Sequence, residues 1–156
     1  MKALIGYLIV LREKDASINE YSNEDLPNLA ATEPKIAQLE KSLRMKMPAA
    51  YRAFLACANG WNYVFASTSL LSTDEIPGAQ NLLSEWPWLK EALQRKRYKN
   101  YVIIGTSDND DAVILITKKG LVLEYSSGEV GEYQDFETFF ESLIVSTQNS
   151  IDNPTA

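Results

Sequence analysis

The residues that come nearest to a reactive site are Ser107-Asp108-Asn109-Asp110-Asp111. Asp108 and Asp110 stand at alternate positions, as the first ligands of a calcium loop do. The glycine of the sharp turn and the distal bidentate Glu are both missing at the required spacing. A catalytic carboxylate pair would need one member with a raised pKa inside a pocket, and nothing around this run supplies either. The run reads as a solvated loop or as an acidic surface for a partner. The chain has no histidine. This removes the usual general base at neutral pH, the usual zinc ligand, and every Ser-His or Cys-His arrangement. The one cysteine, Cys57, has no second thiol to pair with and reads as a small buried hydrophobe. The sequence points to no metal and no cofactor.

With 156 residues the chain is long enough for one domain with a sizeable core. Its 46% hydrophobic and 23% charged residues are ordinary for a globular protein. A net charge of −6 argues against non-specific nucleic-acid binding, which needs a basic surface, and fits a basic protein partner. The basic run Arg95-Lys96-Arg97, with Lys99, is short and set in an acidic chain. It reads as a solvated helix end, favoured there by the helix dipole.

Two helices and a break form the most ordered-looking stretch, from Ile36 to Gly60. Ile36, Leu39, Leu43 and Met47 fall three to four apart, on one helical face. Thr32 is placed to cap that helix and Pro34 suits its first turn. Pro48 breaks the chain and pre-sets a second helix, whose stripe is Tyr51, Phe54, Leu55 and Ala58. Asn59-Gly60 ends it, because Gly accepts the left-handed conformation. Glu40 sits inside the first stripe. Either it snorkels to water from the edge, or its carboxylate accepts from the free N–H groups that open the Pro48 helix.

Around this stretch the expectations are simpler. Ala3 to Leu11 is too short to span a bilayer and meets charges rather than a cleavage site, so it reads as a core-packing helix with Leu4, Tyr7, Leu8 and Leu11 inward. The protein is then expected in the cytoplasm, with no membrane contact. Residues 15–31 read as a loop, Val64–Leu71 as one strand, and 81–97 as a helix broken at Trp86-Pro87. Four strands follow, at Tyr101–Gly105, Ala112–Thr117, Leu121–Tyr125 and Glu129–Tyr133, joined by short turns as a meander. Phe136, Phe139, Phe140, Leu143 and Ile144 form a closing helix capped by Asp135. The fold class is α+β: a single domain over 1–147, an antiparallel meander packed with helices from both ends of the chain, and a flexible tail over 148–156.

On these residues the chain resembles the SUKH superfamily, in its Smi/Knr cell-wall-regulator branch. The family's core is a helix carrying a Glu, a break, then leucine-proline, tyrosine, phenylalanine-leucine and asparagine-glycine. Here it reads Ile36, Leu39, Glu40, Leu43, Met47-Pro48, Tyr51, Phe54-Leu55 and Asn59-Gly60. A Val-Ile-x-Gly-like strand is Val102–Gly105, a Gly-x-Val turn-and-strand is Gly120–Val122, and the aromatic helix is Phe136–Ile144. Met47 replaces the usual leucine, and Trp61 stands where a second glycine often follows.

The resemblance implies a non-catalytic binding domain. Bacterial members are mostly immunity proteins that neutralise a cognate toxin, often a nuclease. Fungal members are interaction hubs in cell-wall synthesis, which gives the alternative of a regulatory or scaffold module. Glu40, Pro48, Tyr51, Phe54, Asn59 and Gly60 are then structural. Contacts are sought elsewhere. Alternate connections of a meander share one end of the sheet, which gathers Asp108, Asp110, Asp111 and Glu129 into an acidic edge that could steer a basic toxin. Trp61 and Tyr63, just past a helix stop, read as core residues or as interface anchors.

Overall fold

The computed structural model describes residues 1–95, 100–108, 112–126 and 129–154, with the backbone alone for Arg95, Glu129 and Val130. Helix α1 (Lys2–Ile18) opens the chain, followed by α2 (Glu33–Leu43) and α3 (Ala49–Leu55). Strands β1 (Trp61–Phe65) and β2 (Thr68–Leu70) come next, then α4 (Ile76–Ala79), α5 (Leu82–Glu85) and α6 (Pro87–Arg95). Strands β3 (Tyr101–Ser107), β4 (Val113–Thr117), β5 (Val122–Ser126) and β6 (Glu129–Tyr133) lead into α7 (Phe136–Asp152). The six strands form one antiparallel sheet in chain order, β1 to β6, with β1 at one edge. The α+β meander read from the sequence is what the chain forms.

The sheet is covered on both faces, and the alternation of β3 and β4 explains why. Val102, Ile104, Ile114, Ile116 and Val122 join a core with Leu8, Ile36, Tyr51, Phe54 and the aromatic face of α7. Ile103, Val113, Leu115 and Leu123 point the other way, against Leu89 and Leu93 of α6. A strand buried on both faces reads as a continuous apolar run, as β4 does. Gly105 is needed in β3 because a Cβ there would lie 2.8 Å from the Ser69 carbonyl oxygen and 2.9 Å from Ile114 Cδ1.

Several expectations need correction. Val64–Leu71 is not one strand but parts of two, turned at 66–67, with Phe65 opposite Thr68. The turn carries no glycine or asparagine to announce it; Ala66 itself takes φ +47°. Helix α1 runs on to Ile18, into the stretch read as a loop, and buries Ile5, Leu8, Leu11, Arg12, Asp15 and Ala16. Tyr7, expected inward, is half exposed. Helix α7 continues to Asp152, so 148–152 is helical rather than a loose tail. Its polar letters hide a buried face, Leu143, Thr147 and Ile151, spaced four apart on the side that packs on α1. The Asp135 cap forms as expected, its Oδ1 accepting from the Thr138 N–H at 2.8 Å. Thr32 does stand at the N-cap of α2, but its side chain makes no capping bond. Among the described residues no helix is long and apolar enough to cross a membrane.

A candidate protein-binding cleft at the sheet edge

The helix pair that dominates the sequence is held together by Glu40, which is only 4% exposed. Its Oε1 accepts from the Met47 N–H at 3.0 Å and from Arg52 Nη1 at 2.8 Å, and its Oε2 from Lys46 Nζ at 2.7 Å. Arg52 also pairs with Glu33. Burial opposes the ionised form of Glu40, but the hydrogen bonds from Lys46, Met47 and Arg52 outweigh it and hold the carboxyl below its ordinary range. The anion therefore binds just ahead of the Pro48 helix, at the N–H of Met47, and not at the free N–H groups of the helix's first turn. The edge reading is excluded by its burial.

The rest of the motif is structural in an equally specific way. Tyr51 and Phe54 are fully buried, with ring centroids 4.9 and 5.0 Å from that of Phe136. Asn59 Oδ1 accepts from the Thr73 N–H at 2.8 Å, and its carbonyl accepts from Asn28 Nδ2 at 2.9 Å. Gly60 takes φ +85°, and a Cβ there would meet Ser72 N at 2.7 Å and Leu70 O at 2.8 Å. Asn59-Gly60 thus pins the 28–31 segment and the 72–75 turn to the start of β1. Pro48 lies against Gly120, 3.6 Å from where a Cβ would stand.

What this frame positions is a cleft of about 410 Å³, lined by Arg12 and Asp15 of α1, Tyr21 and Asp25 of the following loop, Tyr63, Phe65 and Ala66 of the β1 edge and its turn, and Thr147 and Ser150 of α7. The Asp25 carbonyl ties the loop to the frame, accepting from the Trp61 indole N–H at 2.8 Å and from Arg12 Nη1 at 2.9 Å. The Arg12 guanidinium carbon lies 5.5 Å from the centroid of the Trp61 ring. Asp15 is buried and accepts from the Tyr21 hydroxyl at 2.6 Å and from Asn19 Nδ2 at 2.7 Å. Burial and the bond to Asp15 push the Tyr21 phenol up to about 12.

The expected contact residues separate clearly. Trp61 is fully buried, so it is a core residue and not a surface anchor; the helix stop before it does not expose it because β1 begins at once. Tyr63 is 42% exposed and takes φ +47°, the left-handed region that favours glycine. Its hydroxyl donates to Asp108 Oδ2 at 2.8 Å, and that bond raises its pKa. The structure therefore joins two of the expected contacts, Tyr63 and Asp108, at the rim of the cleft. The Asp108 N–H donates to the Ser67 carbonyl at 3.2 Å, which seats the β3–β4 connection beside the β1–β2 turn. Antiparallel order sends the β1–β2, β3–β4 and β5–β6 connections off the same end of the sheet. Asp110 and Asp111, the Glu129 side chain and the run Lys96-Arg97 with Lys99 lie outside the described residues.

Arg12, Asp15, Tyr21 and Asp25 were not singled out from the sequence. The first two carry a signal: they continue the spacing of Ile5 and Leu8 along the inward face of α1, where a charged residue calls for a reason.

Over residues 30–143 the chain matches the SMI1 / KNR4 family (SUKH-1). The chain belongs to this family. The matched span takes in every residue of the frame, from α2 into the first half of α7. Within the SUKH-1 chain the cleft is built partly from α1 and the 21–25 loop, which precede that span, and from the β1 edge, which lies inside it. No curated protein matches the chain. Among the described residues no group of three or more Cys, Asp or Glu is placed to hold a metal ion.

Proposed function

We propose that this SUKH-1 protein is a non-catalytic immunity protein of the bacterial cytoplasm, which binds a cognate toxin and blocks it. Family membership over residues 30–143 carries the reading, since bacterial members of the superfamily mostly have that role. The cleft supports a protein partner: exposed tyrosines, Tyr21 and Tyr63, stand beside carboxylates on a rigid frame, and such aromatic residues are common interface anchors. The net charge of −6 suits a basic toxin domain such as a nuclease. An acidic edge of the kind expected from Asp108, Asp110, Asp111 and Glu129 in the sequence would speed its approach.

The test is rescue. Any toxin gene found adjacent to this one is expressed from a tight promoter, with and without the chain. Restored growth, with a stable complex recovered on purification, is the expected result. Continued killing at equal expression, with no complex, overturns the reading. Capture of a cell-wall-synthesis regulator instead would favour the alternative, a regulatory scaffold of the Smi/Knr kind.

A further inference from the structure

Two groups facing the cleft hold bonding capacity that the fold leaves unused. The half-buried Asp25 carboxylate accepts no hydrogen bond and joins no ion pair among the described residues; Arg12 and Tyr63 feel its charge, but only its carbonyl is bonded. Arg12 is 7% exposed, and its guanidinium donates one hydrogen bond, to that same carbonyl, and joins no ion pair among the described residues. A guanidinium carries five N–H donors, and buried charges ordinarily find partners. The other lining carboxylate, Asp15, is occupied by Tyr21 and Asn19. Arg12, Asp15 and Asp25 together leave the lining one negative charge in excess, and Asp108 adds another at the rim. An anionic guest is disfavoured there. A guest that brings a cation to Asp25 and a neutral acceptor to Arg12 is favoured.

We infer that the cleft receives a basic residue of the protein partner, its guanidinium or ammonium against Asp25 between Tyr21 and Tyr63, and its main-chain carbonyl on the spare donors of Arg12. An arginine or lysine within a peptide offers both groups on one residue. Aromatic walls suit such a cation, and Phe65 and Ala66 in the lining suit its apolar stem. Charge complementarity selects this occupant over an acidic one.

The inference rests on the protein-binding reading and adds the chemistry of what is bound. The full chain is titrated with N-acetyl-argininamide while amide NMR signals are followed, with the uncharged isostere N-acetyl-citrullinamide as control. The expected result is saturable shifts confined to residues 12–25, 61–66 and 147–150, in the millimolar range, for the arginine compound alone. Asp25→Asn, checked for an unchanged spectrum elsewhere, should weaken that binding about tenfold, the loss of one charge-assisted contact. Equal shifts with both compounds, no shift at the cleft, or unchanged binding by the variant overturns the inference. The rescue assay separates the two readings. If Asp25→Asn protects as well as the wild-type chain at limiting expression, the cleft proposal falls and immunity stands. If the wild-type chain fails to protect while the cleft binds arginine selectively, immunity falls and the cleft stands.

Discussion

Glu40→Gln tests the reading of the frame, because it removes a charge while nearly keeping the shape. The glutamine carbonyl can still accept from Met47 N–H and Arg52 Nη1, now 3.0 and 2.8 Å from Oε1. The Arg52 bond becomes charged-to-neutral, and the difference between such bonds is about 1–1.5 kcal/mol. The new amide nitrogen faces Lys46, whose side chain is 83% exposed and can swing away, so that pair adds roughly 0–0.5 kcal/mol. The sum, about 1–2 kcal/mol, lowers Tm by roughly 2–8 °C for a domain of this size.

Acidification supplies the sharper check. Glu40 is held below its ordinary 4.5 in the folded chain, so its contribution is full above that pH and is lost as pH falls through the depressed folded value. Glutamine does not titrate, so the gap between wild type and variant should close over that window. Thermal and urea unfolding by circular dichroism at pH 7 and at stepwise lower pH measure both. An unchanged Tm at pH 7, or a gap that widens in acid, refutes the argument.

Two further outcomes concern the same frame. Gly60→Ala should cost roughly 3 kcal/mol or more, because φ is +85° and the new Cβ would meet backbone atoms at 2.7–2.8 Å; Gly6→Ala in α1, with nothing within 4 Å, should instead gain about 0.5–1 kcal/mol, and urea midpoints compare them. Tyr51→Phe removes a buried hydroxyl that has no hydrogen-bond partner, so Tm should hold or rise; a loss above about 1 kcal/mol would show that the hydroxyl is satisfied in solution.

The frame was legible because its residues obey local rules. The stripe of α3, the proline break, the Asp135 cap and the two-sided apolar run of β4 each follow from periodicity or capping, and tertiary packing agrees with them. What escaped was set by distant partners. The β1–β2 turn lacks any turn residue, and Ala66 is held at φ +47° by a strand pairing that local propensity does not contain. The last turn of α7 is polar in sequence and helical because α1 covers it, so local pattern alone ends the domain too early, at Thr147. The burial of Trp61 depends on Asp25, thirty-six positions upstream, accepting its N–H, and on Phe140, whose ring centroid lies 6.4 Å away. The cleft was invisible for the same reason: its lining comes from α1, a loop, an edge strand and α7, with no two of these contributions forming a contiguous motif.

Frame and cleft are different residue sets, but they share atoms. The Asp25 carbonyl accepts from Trp61, which belongs to the core, and from Arg12, which faces the cleft. Asn59-Gly60 fixes where β1 starts and holds the neighbouring 28–31 segment, since the Asn28 N–H donates to the Gly60 carbonyl at 3.0 Å and the Asn59 N–H to that of Leu29 at 3.2 Å. The expected helix stop at Asn59-Gly60 falls four residues past the observed end of α3 at Leu55, and the same two residues instead set Tyr63 and the loop carrying Asp25 in position. Side chains on the outer surface of that loop and strand, Leu26, Leu29 and Tyr63, are exposed and carry little of the core, so they can change while the backbone beneath them is held. A scaffold of this kind fixes the location of an exposed face and leaves its chemistry open, which is what the proposed role would require.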